Sequence, residues 1–205
     1  MANNLCACPA PAALTTITDT LNCDIPGKIA KFIIQRNLAS NDFPTIELEA
    51  SWAGLPDAAD DTKVVISPFV ENFVFPDADL LKEGENFDGA ENVVATAPQT
   101  LTTMIRNISN VQYASLRDLM CERDLAVYFI DDDNKFFVRE VSSSVHNGFK
   151  ISPQTFGVSD PAREGGKVDQ FKCKVEFTLP GGWFVDAVKV APEADFFPLS
   201  EIVPA

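Results

Sequence analysis

The sequence predicts a mostly β fold: an antiparallel β-sandwich or partly closed barrel with one flanking α-helix, a long protruding loop and extended terminal arms. Three observations carry that expectation. Short β-branched and aromatic runs recur between turn-forming residues. The stretch Lys167 to Leu179 sets Phe171, Cys173, Val175 and Phe177 on one face against Val168, Gln170, Lys172, Lys174 and Glu176 on the other, the alternation of a half-buried antiparallel strand. Neither strand–helix alternation nor an internal repeat is visible, which leaves sheet packed on sheet as the natural architecture.

Taken in order, residues 1–27 read as a separate N-terminal arm, with Pro9, Pro11 and Pro26 around a Thr-rich middle. The main domain spans 28–199 and a short tail 200–205. Ile29 to Arg36 is β-branched and aromatic, a strand. Thr45 offers an N-cap for a short helix that stops before Pro56, with Glu47 and Glu49 favouring its first turn. Lys63 to Ser67 is a strand bent by Pro68. Residues 69–99 hold Phe69, Phe73, Phe75 and Phe87 without a clear period, so they read as a protruding hairpin or extended loop. Those phenylalanines need a dry surface, and a neighbouring molecule is favoured over the domain itself.

A strand pattern resumes at Thr100. Asn110 caps a helix running to about Asp124, with Val111, Leu116, Leu119 and Met120 as its apolar stripe. Leu125 to Ile130 and Lys135 to Val141 flank Asp131-Asp132-Asp133-Asn134, a hairpin with a solvated acidic tip. Asn147-Gly148 marks a turn, Phe149 to Val158 a strand bent by Pro153, and Gly165-Gly166 a loop. Gly181-Gly182 turns the chain so that Trp183 to Val190 returns. Ala191 to Ala205 carries Phe196 and Phe197 and reads as an extended strap.

Charge and composition narrow the function. Thirty acids against 16 bases leave a formal charge of −14. That opposes a surface built to grip nucleic-acid phosphates or anionic membranes, both of which rest on Lys and Arg. No run approaches the ~20 apolar residues of a membrane span. The first lysine is Lys28, so no basic secretory signal is expected, and the chain reads as made and used in a reducing cytoplasm. Five cysteines fit no disulfide framework. Cys6, Cys8 and Cys23 could supply three soft ligands, but a structural zinc site normally has four, and His146, the only histidine, is distant in sequence. No metal or cofactor is expected, and Cys121 and Cys173 read as small core residues.

Catalytic machinery is not recognisable, and the chain is not expected to be an enzyme. His146 sits beside a turn and reads as a loop residue. The Asp131–Asn134 cluster fails as an EF-hand loop, because its sixth position is Phe136 instead of glycine. Gly165-Gly166-Lys167 lacks the rest of a phosphate-binding loop.

Several segments together resemble a known family. They are Lys28-Ile29-Ala30-Lys31-Phe32-Ile33-Ile34-Gln35-Arg36, Ser51-Trp52, Asp61-Thr62-Lys63-Val64-Val65-Ile66-Ser67-Pro68, the helix at 111–124, the Phe129-to-Val138 hairpin, Gly148-Phe149-Lys150-Ile151 and Val175-Glu176-Phe177-Thr178-Leu179 before Gly182-Trp183. The chain resembles the tail tube (major tail) proteins of long-tailed bacteriophages, of the Bacteroidetes-phage type. The resemblance implies a homo-oligomer in a virion tail, made in the host cytoplasm. Six subunits would form a ring, and rings would stack through loops and arms. Other tail or neck proteins would be partners, DNA would pass through without specific binding, and no membrane would be involved. Phe69, Phe73, Phe75, Phe87, Phe196 and Phe197 become candidate subunit contacts. Asp131, Asp132 and Asp133 become candidates for an acidic lumen or a hairpin tip, in a ring whose formal charge is six times −14. The alternatives are a capsid-associated, neck or tail-terminator protein, or a monomeric ligand-binding β-sandwich.

Overall fold

The structure, a computed structural model, describes residues 26–85, 91–162 and 171–203. Phe87, the arm through residue 25 with Cys6, Cys8 and Cys23, and the Gly165-Gly166 loop lie outside the described residues. The chain runs β1 (Ile29–Arg36), α1 (Glu49–Trp52), β2 (Val64–Ile66), β3 (Val70–Val74), β4 (Leu80–Glu85), β5 (Glu91–Thr96), β6 (Gln99–Arg106) and α2 (Asn110–Asp118). It continues through β7 (Leu125–Asp131), β8 (Phe136–Ser142), β9 (Val145–Asn147), β10 (Phe149–Lys150), β11 (Gly157–Val158), β12 (Lys172–Leu179), β13 (Ala187–Val190) and α3 (Pro198–Glu201).

These strands form a mostly β, sandwich-like fold with every pair antiparallel. The first sheet has the order β13-β8-β7-β1-β2, with β9 added to β8 and β10 to β7. The second sheet has the order β11-β12-β6-β3, and β4 pairs only with β5. Between the two large sheets, Phe32, Ile34, Val127, Phe129 and Phe137 meet Leu101, Ile105, Cys173, Val175 and Phe177 in one core. Period-two alternation holds within β12, where Cys173, Val175, Phe177 and Leu179 are buried while Lys174 faces solvent, but Phe171, expected on the same apolar face, precedes the strand and is 54% exposed.

A second core lies on the outer face of the first sheet. There Ile33, Tyr128, Ile130, Phe136 and Val138 are covered by Trp52 of α1 and by Phe43, Ile46, Phe196 and Ile202 from the segments around α1 and α3. The Trp52 ring stacks on Phe43 and on Phe136, at centroid distances of 4.7 and 5.2 Å. Both faces of β7 are therefore buried along its whole length, which is why its sequence is a continuous apolar run instead of an alternation.

Several local expectations are corrected. The helix expected after Thr45 is a single turn, Glu49–Trp52. The Ile46 carbonyl that a longer helix would bond along its own ladder accepts the Trp52 indole N–H at 2.9 Å instead. Thr45 is no cap; its hydroxyl lies 3.0 Å from that of Ser51. The N-cap of α2 is Ser109, one residue before Asn110, in a reciprocal capping box with Gln112. That helix ends at Asp118, followed by a 3-10 turn through Cys121. Its stripe is only partly used: Leu116 is buried, but Val111 is 76% exposed and Met120 is exposed.

Gly148 is not at a turn. It lies between β9 and β10, where an added Cβ would come within 2.9 Å of the Ala126 side chain and the Val127 backbone. The strand expected over 149–158 is two short pieces, β10 and β11, in different sheets. Gly181-Gly182 does not fold β12 back on itself. It carries the chain out of the second sheet, through a 3-10 turn at Trp183–Asp186, to β13 in the first. The tail is a strap closed by the helical turn α3 rather than an extended segment.

Candidate assembly surface

Of the two forms expected for the excursion over 69–99, the structure shows the hairpin, but a shorter one: it spans only β4 and β5. The first part of the excursion is β3, which pairs with β6 in the second sheet. The register shifts between Glu71 and Val74, where Asn72 takes a left-handed φ of 52°. Such a bulge re-aims the side chains that follow it. Phe73 and Phe75 consequently turn into the main core, with ring centroids 5.2 and 5.8 Å from Phe129. What protrudes is the ribbon β4–β5, in which neither strand has a second neighbour among the described residues. Its Leu80, Leu81, Val93 and Val94 are exposed, Leu80 and Val93 each at 56%.

At the foot of the ribbon lies an open groove of about 610 Å³, walled by Phe73, Phe75, Phe137, Trp183, Phe184 and Val185. Trp183 is its hub: the indole stacks on Phe75 at 5.8 Å and meets Phe149 edge-on at 5.0 Å. The Trp183 indole N–H donates to Gln99 Oε1, and Gln99 Nε2 donates to the Pro76 carbonyl at 2.7 Å. With these polar groups satisfied by one another, the groove offers ring faces and aliphatic surface. Ribbon and groove are held together at Gly181, where any Cβ would run into the Thr96 carbonyl at the end of β5.

The candidate contact residues separate into three groups. Phe196 is 3% exposed in the second core, so the chain itself covers it, which corrects the expectation that a neighbour does. Phe73 and Phe75 pack against the first core but are only half-buried, and each keeps a side in the open groove. Phe69 and Phe197 remain exposed. Lys31 Nζ sits 4.8 Å from the centre of the Phe69 ring, a cation–π distance.

Asp131 also departs from expectation. It is fully buried, with Oδ2 2.5 Å from Lys189 Nζ on β13. Its Oδ1 accepts the backbone N–H groups of Asp133 and Lys135 at 3.1 and 2.8 Å, and Oδ2 that of Gly27 at 3.3 Å. A carboxylate closing its own hairpin turn and paired with a lysine is neither a solvated tip nor a lumen charge. Asp132 and Asp133 are exposed at that turn.

His146 is a strand residue of β9, not a loop residue. It exchanges backbone hydrogen bonds with Phe43, and its buried Nδ1 has no hydrogen-bond partner among the described residues. Burial lowers its pKa, against a smaller opposing pull from Glu140 and Glu47. Cys121 is exposed, not a core residue, whereas Cys173 is buried and its thiol pKa is raised by desolvation.

Sequence reasoning missed Lys31. Its ammonium is buried and donates to the Leu199 and Ile202 carbonyls at 2.7 and 3.3 Å, pinning the C-terminal strap, and desolvation lowers its pKa. A lone lysine in a β-branched run carries no signal for this, because it looks like an outward-facing residue.

Among the described residues, no group of three or more His, Cys, Asp or Glu side chains could hold a metal ion, and no helix is long and apolar enough to cross a membrane. Comparison with protein-family models, with curated proteins and with solved structures finds no match to this chain.

Proposed function

We propose that this chain is a self-assembling structural subunit, and specifically a tail tube protein of a long-tailed phage that forms stacked, hexameric rings around a passage for DNA. The observation that carries the reading is the β4–β5 ribbon. A two-stranded hairpin is at best marginally stable alone, and this one presents Leu80, Leu81, Val93 and Val94 to solvent. A sister subunit laid against it would bury that apolar surface and could give a ribbon strand a second neighbour. The charge of −14 supports the passage. An acidic wall repels phosphates, with a reach limited by screening to about 8–10 Å.

Negative-stain images of the purified protein test the proposal. Tubes built of stacked rings are expected. Single rings or capsid-bound copies would transfer the reading to a neck, terminator or capsid-associated protein. Monomers at high concentration would sink both readings and favour a ligand-binding β-sandwich, for which the aromatic groove is the available site.

A further inference from the structure

We infer that the aromatic groove at Trp183 is the docking site of the chain's own N-terminal segment, centred on Cys8-Pro9-Ala10-Pro11. The first support is position. Pro26, Gly27 and Lys28 are themselves part of the groove wall. Gly27 is held there by Asp131 and the Lys28 carbonyl by the Asp132 N–H at 2.9 Å. The described chain thus begins at the rim of the groove.

The second support is chemistry. In a chain of charge −14, the first charged side chain is Asp19, and Leu5 to Leu14 holds only Leu, Cys, Ala and Pro. Proline-rich segments dock on aromatic-lined grooves because proline rings lie flat on ring faces and the backbone is already restricted. The stacked Phe75 and Trp183 rings, with the half-exposed Phe184, supply such faces.

The third support is tether length. Pro11 and Pro26 are fifteen positions apart, and a fully extended chain spans at most about 3.3–3.6 Å per residue. The tether therefore reaches the groove with slack. A tether this short supplies an effective concentration of order mM, which favours the chain's own segment over that of a neighbour.

The inference does not rest on the tube reading, and its test is read on a gel instead of in an image. Val185 lines the groove at 83% exposure, so Val185→Cys is tolerated. In the full chain carrying Cys121→Ser as well, mild oxidation should join Cys6 or Cys8 to the new thiol within one chain. Peptide mapping of the monomer band after non-reducing electrophoresis identifies the link. It should form at least tenfold faster than with Val203→Cys, which lies exposed on the side of Trp52. Adding Pro9→Asp and Pro11→Asp should slow it at least fivefold. A link found chiefly in a dimer band, a rate no greater than in the Val203→Cys control, or indifference to the two prolines would each overturn the inference.

Discussion

Strand β7 and the β4–β5 ribbon both carry leucine and valine on antiparallel strands, and those residues live in opposite surroundings. In β7 they belong to the near-continuous apolar run LAVYFID; in the ribbon they stand among the charged and polar residues of LLKEGE and ENVVAT. Strand β7 has β1 and β8 beside it and a core on each face, whereas among the described residues the ribbon strands have only each other. Apolar sequence alone therefore does not say what an apolar residue is for. In β7 it stabilises the fold of one chain. In the ribbon it adds little to that fold, and its use lies in what comes to cover it.

The sharpest way to break this contrast is at the centre of the sandwich. Phe129 is fully buried among the rings of Phe73, Phe75, Phe137, Phe149 and Phe177. Phe129→Ala should cost about 3–5 kcal/mol, read as a fall in the urea midpoint. A loss below about 1 kcal/mol would mean that the core repacks freely, contrary to interior close packing. Next comes Asp131→Ala, which leaves Lys189 without its carboxylate and two turn N–H groups without their acceptor. About 3 kcal/mol is expected, as for breaking a buried pair from one side. An effect within about 0.5 kcal/mol, typical of a surface site, would restore Asp131 to the solvated tip.

The ribbon should behave the other way round. Leu81→Ser with Val93→Ser should change the stability of the isolated chain by no more than about 0.5 kcal/mol, as at exposed sites, while abolishing assembly seen by light scattering. Loss of folding instead would show that the ribbon belongs to the core.

The smallest effect concerns His146. Its folded pKa lies below the usual value because burial disfavours the imidazolium. The unfolded chain thus binds the proton more readily, and stability falls as pH drops below about 6.5, the unperturbed histidine value. His146→Gln should flatten that part of the urea-midpoint profile between pH 7 and 5. An unchanged slope would assign it to carboxylates.

The sandwich itself was legible because its signals are local. The β12 alternation, the β7–β8 hairpin and the first strand are all read from residues adjacent in sequence. The pieces that failed depend on partners far along the chain. Lys31 is buried because a strap 168 residues later offers it carbonyls. Asp131 is buried because β13 brings Lys189 beside it. Phe73 turns inward because of a bulge at Asn72 that no pattern announces. Trp183 was legible as an aromatic after a glycine pair, but its place as hub follows from the crossing between sheets, which neither glycine specifies.

The strap held by Lys31 also orders events during synthesis. Trp52, Phe136 and Tyr128 emerge from the ribosome well before Phe196 and Ile202, the residues that complete their cover. Until then one side of the first sheet stays greasy and a lysine amine waits without its acceptors. A nascent chain stalled or cut after Val190 would resemble a chaperone client more than a slightly shortened product.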